Sequence, residues 1–159
     1  MSFDSWMLAL HVLSAFALVA GMVLFWALIV AVRRADTPEE TLRMGPAARV
    51  AGASVGLGMG GTIAFGIWLA FSVGGYDIWD GWIIAALVLW VVAARFGAMT
   101  NASYERGVQK AQELGGEGVS TPNAELLALN RTQNGVLFQS LTSIAVLLIL
   151  IDMIWKPGA

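Results

Sequence analysis

From Trp6 to Val32 this chain contains no Asp, Glu, Lys or Arg, and that run constrains the fold more than any other feature. A helix over those residues is ~40 Å long at ~1.5 Å per residue, more than the ~30 Å of hydrocarbon in a bilayer, so it crosses with tilt or projects beyond it. A signal peptide is the competing reading. It fits poorly, because only Ser2, Phe3, Asp4 and Ser5 separate Met1 from Trp6, the usual basic segment is missing, and the run is too long for a leader's apolar core. Three more apolar segments follow, at about 50–73, 81–100 and 132–154. The expected fold is all-α, a single membrane domain forming a four-helix bundle with spans at 6–32, 50–73, 81–100 and 132–154.

Composition agrees, since 58% hydrophobic residues with 13% charged lies outside the range of soluble domains. The chain has no cysteine, which removes disulfides, thiolate metal sites and thiol nucleophiles. A net charge of -2 offers no basic face for nucleic acid. No nucleophile and base pair, no glycine-rich phosphate loop after a strand and no pair of carboxylates within the spans can be assembled, which argues against an enzyme without excluding one.

The basic residues orient the spans. Arg33, Arg34, Arg43 and Arg49 lie in or beside the connection 33–49, and Arg106, Lys110 and Arg131 lie in the connection 101–131. The N-terminal residues and the link 74–80 carry no Lys or Arg, and the tail carries only Lys156. Both connections are therefore expected in the cytoplasm and both termini outside, in a multi-pass plasma-membrane protein. Trp6, Trp79, Trp82 and Trp155 fall at the outer boundary as an aromatic belt would.

The two halves resemble each other. Ser5-Trp6 and the residues after it align with Gly81-Trp82, each half has a cytoplasmic Thr-Pro (Thr37-Pro38 and Thr121-Pro122), and each second span ends in Ile-Trp, at Ile67-Trp68 and Ile154-Trp155. The pattern suggests two parallel copies of a helical hairpin, related by an axis along the membrane normal. In each Thr-Pro the Thr can cap a helix and the Pro can occupy its first turn. The first such helix should close at Gly45-Pro46, and the third span should run on as a polar helix to Leu114 before Gly115, Gly116 and Gly118 break it. Gly52, Gly56 and Gly60, together with Gly58, Gly61 and Gly66, make the second span a face for close helix packing, within the chain or with another one as a homo- or hetero-oligomer.

His11 is the only histidine, five residues past Trp6 and so ~7 to 8 Å below the expected interface. An ionisable group at that depth is costly without a partner, which makes it the leading functional candidate. Ser14 and Ala15 leave room beside it. A neutral imidazole can hold haem iron or copper between the helices of a bundle. The plainer reading is a hydrogen bond across the bundle, or contact with interfacial water. At its depth the other spans offer Ile67, Leu87 and Ile149, all apolar, so Met153 is the only second ligand from another span, and Lys156 is the one outward cation available to a haem propionate. For copper, Met7, Met22, Met59 and Met153 supply thioethers without forming a tight cluster.

Arg95 is the other charge in a span, close enough to the cytoplasmic boundary to snorkel. Its alternative is a polar group with Asn134, Gln139 or Ser140 of the fourth span, or with an anionic lipid headgroup. The outward acidic residues Asp4, Asp77, Asp80 and Asp152 read as solvated surface.

The stretch from Trp6 to Arg34, with Leu10-His11, Gly21 and Arg33-Arg34, resembles the first span of small bacterial membrane proteins of the copper-resistance-D-like superfamily. The ending Asp152-Met153-Ile154-Trp155-Lys156-Pro157 is similar to that of an uncharacterised branch of integral membrane proteins there. A more distant resemblance is to the membrane-embedded protoporphyrinogen oxidases, four-helix proteins whose first-span histidine is thought to hold haem b. That resemblance implies a haem role for His11 alone, because the further histidines of those oxidases and of the copper proteins have no counterpart here. The expectation is a haem-type site at His11 serving electron transfer or porphyrin handling. A cofactor-free accessory or assembly subunit competes with it, and a copper-handling protein is the third reading.

Overall fold

Two antiparallel helical hairpins, each a pair of long apolar helices, make up the bundle. The structure is a computed structural model that describes residues 2–72, 77 and 79–156. Val73 at the expected end of the second span, Gly74 at the start of the outer link and Pro157 of the tail lie outside the described residues. Four helices are long and apolar enough to cross a membrane, and no strand occurs among the described residues.

The first hairpin pairs α1 (Phe3–Val32) with α3 (Gly45–Ser72). Ser2 opens α1 by accepting a hydrogen bond from the Ser5 N–H, and Asp4 sits in the positive first turn. The two helices touch along their length, from an edge-to-face contact of Phe3 with Trp68 at 5.4 Å between centroids to a cluster of Phe25, Leu28 and Ala51. Glycine permits this approach. A Cβ at Gly21 would stand 2.7 Å from Val55 Cγ2, and one at Gly58 would run into the Leu18 backbone.

Here the expectation needs correcting. The packing glycines of α3 are Gly58, Gly61 and Gly66, whereas Gly52, Gly56 and Gly60 have nothing within 4 Å of where a Cβ would be. The reason is angular. Steps of four residues and steps of three or five turn a helix differently, so the six glycines occupy separate faces.

The second hairpin pairs α4 (Gly81–Gly116) with α6 (Gln133–Trp155), through stacked Phe96 and Phe138 toward one end and Lys156 Nζ, 5.3 Å from the centroid of Trp82, at the other. Trp82 is thus buried in the bundle, while Trp6, Trp79 and Trp155 are exposed. Of the four tryptophans expected in a belt, three are exposed and Trp82 is not.

The hairpins meet around Leu18, Ala93, Ala145 and Val146, with Met22, Val55 and Met59 packed against that cluster. Side-chain hydrogen bonds reinforce the seam: Trp26 Nε1 donates to Ser143 Oγ at 3.0 Å, Gln139 Nε2 to the Met22 carbonyl at 3.3 Å, and Trp90 Nε1 to the Met59 carbonyl at 3.3 Å. Bonds of this kind are worth about 0.6 kcal/mol each on average inside membranes.

Beyond the apolar segments, α4 continues as the expected polar helix and ends where Gly118, at φ +74°, lets Val119 N–H reach back to the Leu114 carbonyl at 2.9 Å. Two short helices pack on this extension. Thr37 and Glu40 form a reciprocal capping box on α2 (Pro38–Arg43), and α5 (Ala124–Asn130) is capped by Asn123. Thr121 therefore does not cap a helix as Thr37 does, because Asn123 supplies the side-chain acceptor two residues later. The short helix closes at Gly45-Pro46 as expected: α2 ends at Arg43 with Met44 as its cap, and Gly45-Pro46 begin α3, where a proline lacks no needed N–H. Ala111, Leu114 and Leu126, with Leu42 and Val119, form a small apolar core under α2 and α5.

Candidate functional site

His11 faces protein. Its Nδ1 lies 3.0 Å from the carbonyl oxygen of Thr62 on α3, which can only accept, so Nδ1 carries the proton. In the neutral form of the ring the lone pair is then on Nε2. Gly66, one turn beyond Thr62, lies against the ring edge, where a Cβ would stand 3.0 Å from Cε1 and 3.3 Å from Nδ1. Thr62 in turn donates its hydroxyl to the Gly58 carbonyl at 2.8 Å. Ser14, one turn along α1, donates to the Leu10 carbonyl at 2.7 Å and sits directly over Gly61. His11 and Ser14 are thereby brought together on one strip of the α1/α3 interface.

Sequence reasoning missed Thr62 and Gly66. The depth argument selected Ile67, a near neighbour along the chain on another side of α3, because axial depth carries no information about helix rotation. A threonine followed four residues later by glycine was the available signal, since that pair offers a polar group beside open backbone.

The other expected site residues lie apart from this strip. Met153 belongs to α6, which packs chiefly on α4, and Lys156 stands over Trp82. Arg95 is exposed and makes no hydrogen bond or ion pair among the described residues. Gln139, with only 3% of its surface exposed, turns to the Met22 carbonyl of α1, Ser140 donates to the Val136 carbonyl, and Asn134 is exposed in the first turn of α6. The expected polar group of Arg95 with Asn134, Gln139 or Ser140 does not form, because α6 turns Gln139 to α1 while α4 turns Arg95 to the exposed surface.

For a cofactor, the donor and the space give different answers. A histidine whose Nδ1–H is held by a backbone carbonyl presents Nε2 as metal-ligating histidines do. A ligand the size of haem needs a slot of several hundred Å³. One hollow of the fold, of about 40 Å³, lies at the far end of the bundle beside Tyr104 and Asn130, and another, of about 420 Å³, is an open groove along Leu8, Val12 and Phe16 on the outside of α1. His11 lines neither. Among the thioethers, Met22 and Met59 pack against the central apolar cluster, as filler side chains do. No group of three or more His, Cys, Asp or Glu side chains placed to hold a metal occurs among the described residues.

A second polar centre, unforeseen from sequence, lies where α5 meets α4 and α2. Asn130 is 5% exposed and donates through Nδ2 to Thr41 Oγ1 at 2.9 Å. Its Oδ1 rests over Gly107, where a Cβ would be 2.8 Å away. Arg33 bridges the same region by donating to the carbonyls of Arg131 at 3.0 Å and Thr132 at 3.1 Å. Around it run ion pairs, the exposed Arg131 with Asp36 at 2.7 Å and the half-buried Lys110 with Glu125 at 2.9 Å. The carboxylates beside Lys110, chiefly Glu125 and then Glu113, raise its pKa above the usual lysine value. Backbone N–H groups of Asp36 and Thr37 hold the Glu40 carboxyl below its usual value.

Comparison with family models, with curated proteins and with solved structures found no match for this chain.

Proposed function

We propose that this chain is a small multi-pass membrane subunit that works by receiving a transmembrane helix, from a second copy or another protein, on the outward face of α3. The observation that carries this reading is the division of the α3 glycines. Gly58, Gly61 and Gly66 are covered by α1, while Gly52, Gly56 and Gly60, one turn apart, are left open. Small residues at that spacing on a lipid-facing helix let a second backbone approach closely, and they serve little purpose against lipid chains.

In this reading the chain sits in the plasma membrane with the Arg-rich connections in the cytoplasm and both termini outside. The halves are a duplicated unit. Each consists of a long span, a short side-chain-capped helix and a second span, in the order α1, α2, α3 and α4, α5, α6.

The absence of native cysteine makes the test direct. Gly56→Cys in native membranes should give a cross-linked adduct that Val88→Cys, on the exposed side of α4, does not give. A Gly56→Leu chain should lose the co-purifying partner or the second copy. Equal cross-linking at both positions, or a chain that stays monomeric and alone, would overturn the reading.

One observation favours a second reading, a haem b held by His11: the Nδ1 hydrogen bond to Thr62 leaves Nε2 as the ligating atom. A bound haem would supply one-electron chemistry. Its test is a Soret band in the purified chain that His11→Ala abolishes; a colourless preparation from haem-replete cells removes it.

A further inference from the structure

A chamber of about 40 Å³ opens between α1, α4 and the junction of α5 with α6, walled by Arg33, Thr100, Tyr104, Asn130, Thr132 and Gly135. Tyr104 and Asn130 both line it, and Tyr104 Oη and Asn130 Oδ1 are buried with no hydrogen-bond partner among the described residues. Buried polar groups in folded proteins pair with protein or with ordered water, and one left unsatisfied costs about 1–3 kcal/mol. Two of them beside one hollow call for a common explanation.

We propose that this chamber is a binding site for ordered water, which bridges Tyr104 Oη and Asn130 Oδ1 and so ties α4 to α5. Water is selected by chemistry. A metal ion is disfavoured because the walls contain no carboxylate and do contain the Arg33 guanidinium. An oxyanion would meet the Asn130 carbonyl oxygen, which cannot donate. An organic ligand is too large, whereas a water needs only ~10–15 Å³ of such volume and two to four polar partners. Partners are present. The Thr100 and Ser103 hydroxyls already donate to the Phe96 and Met99 carbonyls, so each offers a remaining lone pair to the guest. Burial also raises the Tyr104 pKa, which keeps its phenol a donor.

The test is Tyr104→Phe in the full chain, reconstituted in lipid nanodiscs. A bridged hydroxyl predicts a melting temperature lower by about 2–4 °C, as loss of one hydrogen bond implies for a chain of this size. A hydroxyl without a bridge predicts the reverse, since the variant removes an orphan, and an unchanged or raised melting temperature overturns the proposal. Should the variant fail to fold, radiolytic labelling of the wild-type chain in oxygen-18 water decides. Bound water beside Tyr104 marks its ring although bulk solvent does not reach the hydroxyl, and an unmarked Tyr104 overturns the proposal.

Discussion

The imidazole of His11 and the carbonyl of Thr62 are joined at 3.0 Å across the α1/α3 interface, 51 residues apart in sequence. The bond satisfies a polar ring inside an apolar hairpin, and the lack of a side chain at Gly66 lets the ring lie flush against α3. His11→Ala should therefore destabilise the chain by about 0.6–2 kcal/mol, the range of interhelical hydrogen bonds in membranes. Steric-trapping measurements in bicelles would check it. A change near zero would mean that the bond contributes nothing and that His11 is kept for another purpose.

The two glycine faces of α3 should respond in opposite ways to the same substitution. Gly58→Ala places a methyl group against the Leu18 backbone and should cost about 1–3 kcal/mol through overpacking. Gly56→Ala meets nothing inside the chain, and the helix propensity gain of up to ~1 kcal/mol makes it neutral to stabilising for the isolated chain. Unfolding of both variants in one detergent, followed by circular dichroism, distinguishes the faces.

Asn130 links α5 to α2 while sitting over Gly107. Asn130→Ala should cost about 1–3 kcal/mol, since Thr41 Oγ1 loses its buried donor. Gly107→Ala should mimic it by pushing the amide aside. Hydrogen exchange should show faster opening of α2 and α5 in both variants, with α1 and α3 unchanged; uniform acceleration along the chain would contradict so local a role.

Acid and alkali should loosen the same end of the molecule. Glu40 has a native pKa below its usual 4.5, so its contribution is present above about pH 4.5 and is lost as pH falls through the lowered value. Lys110 has a native pKa above its usual 10.5, so its contribution is present below about pH 10.5 and disappears as pH rises through the raised value. Glu40 is exposed and so are the carboxylates that face the half-buried Lys110, so the effects should be small and salt-sensitive. Exchange at α2 should rise first in acid, and exchange at α5 first in alkali; Glu40→Gln should remove the former.

Much of the architecture was written in the chain itself. Charge-free runs such as Trp6–Val32 admit only a helix of bilayer length, because hydrocarbon leaves every backbone polar group to be satisfied within its own segment. Thr37-Pro38 announced α2, and Gly118 announced the end of α4, since capping and positive φ are local demands. Rotation of each helix about its axis was decided only by the tertiary structure. That rotation covered Gly58 and left Gly56 open, turned Gln139 to Met22 and away from Arg95, and set Thr62, not Ile67, before His11. The physical reason is that apolar residues surround these spans on nearly all sides, so no hydrophobic stripe marks the inward face, and shape complementarity between facing helices settles it instead.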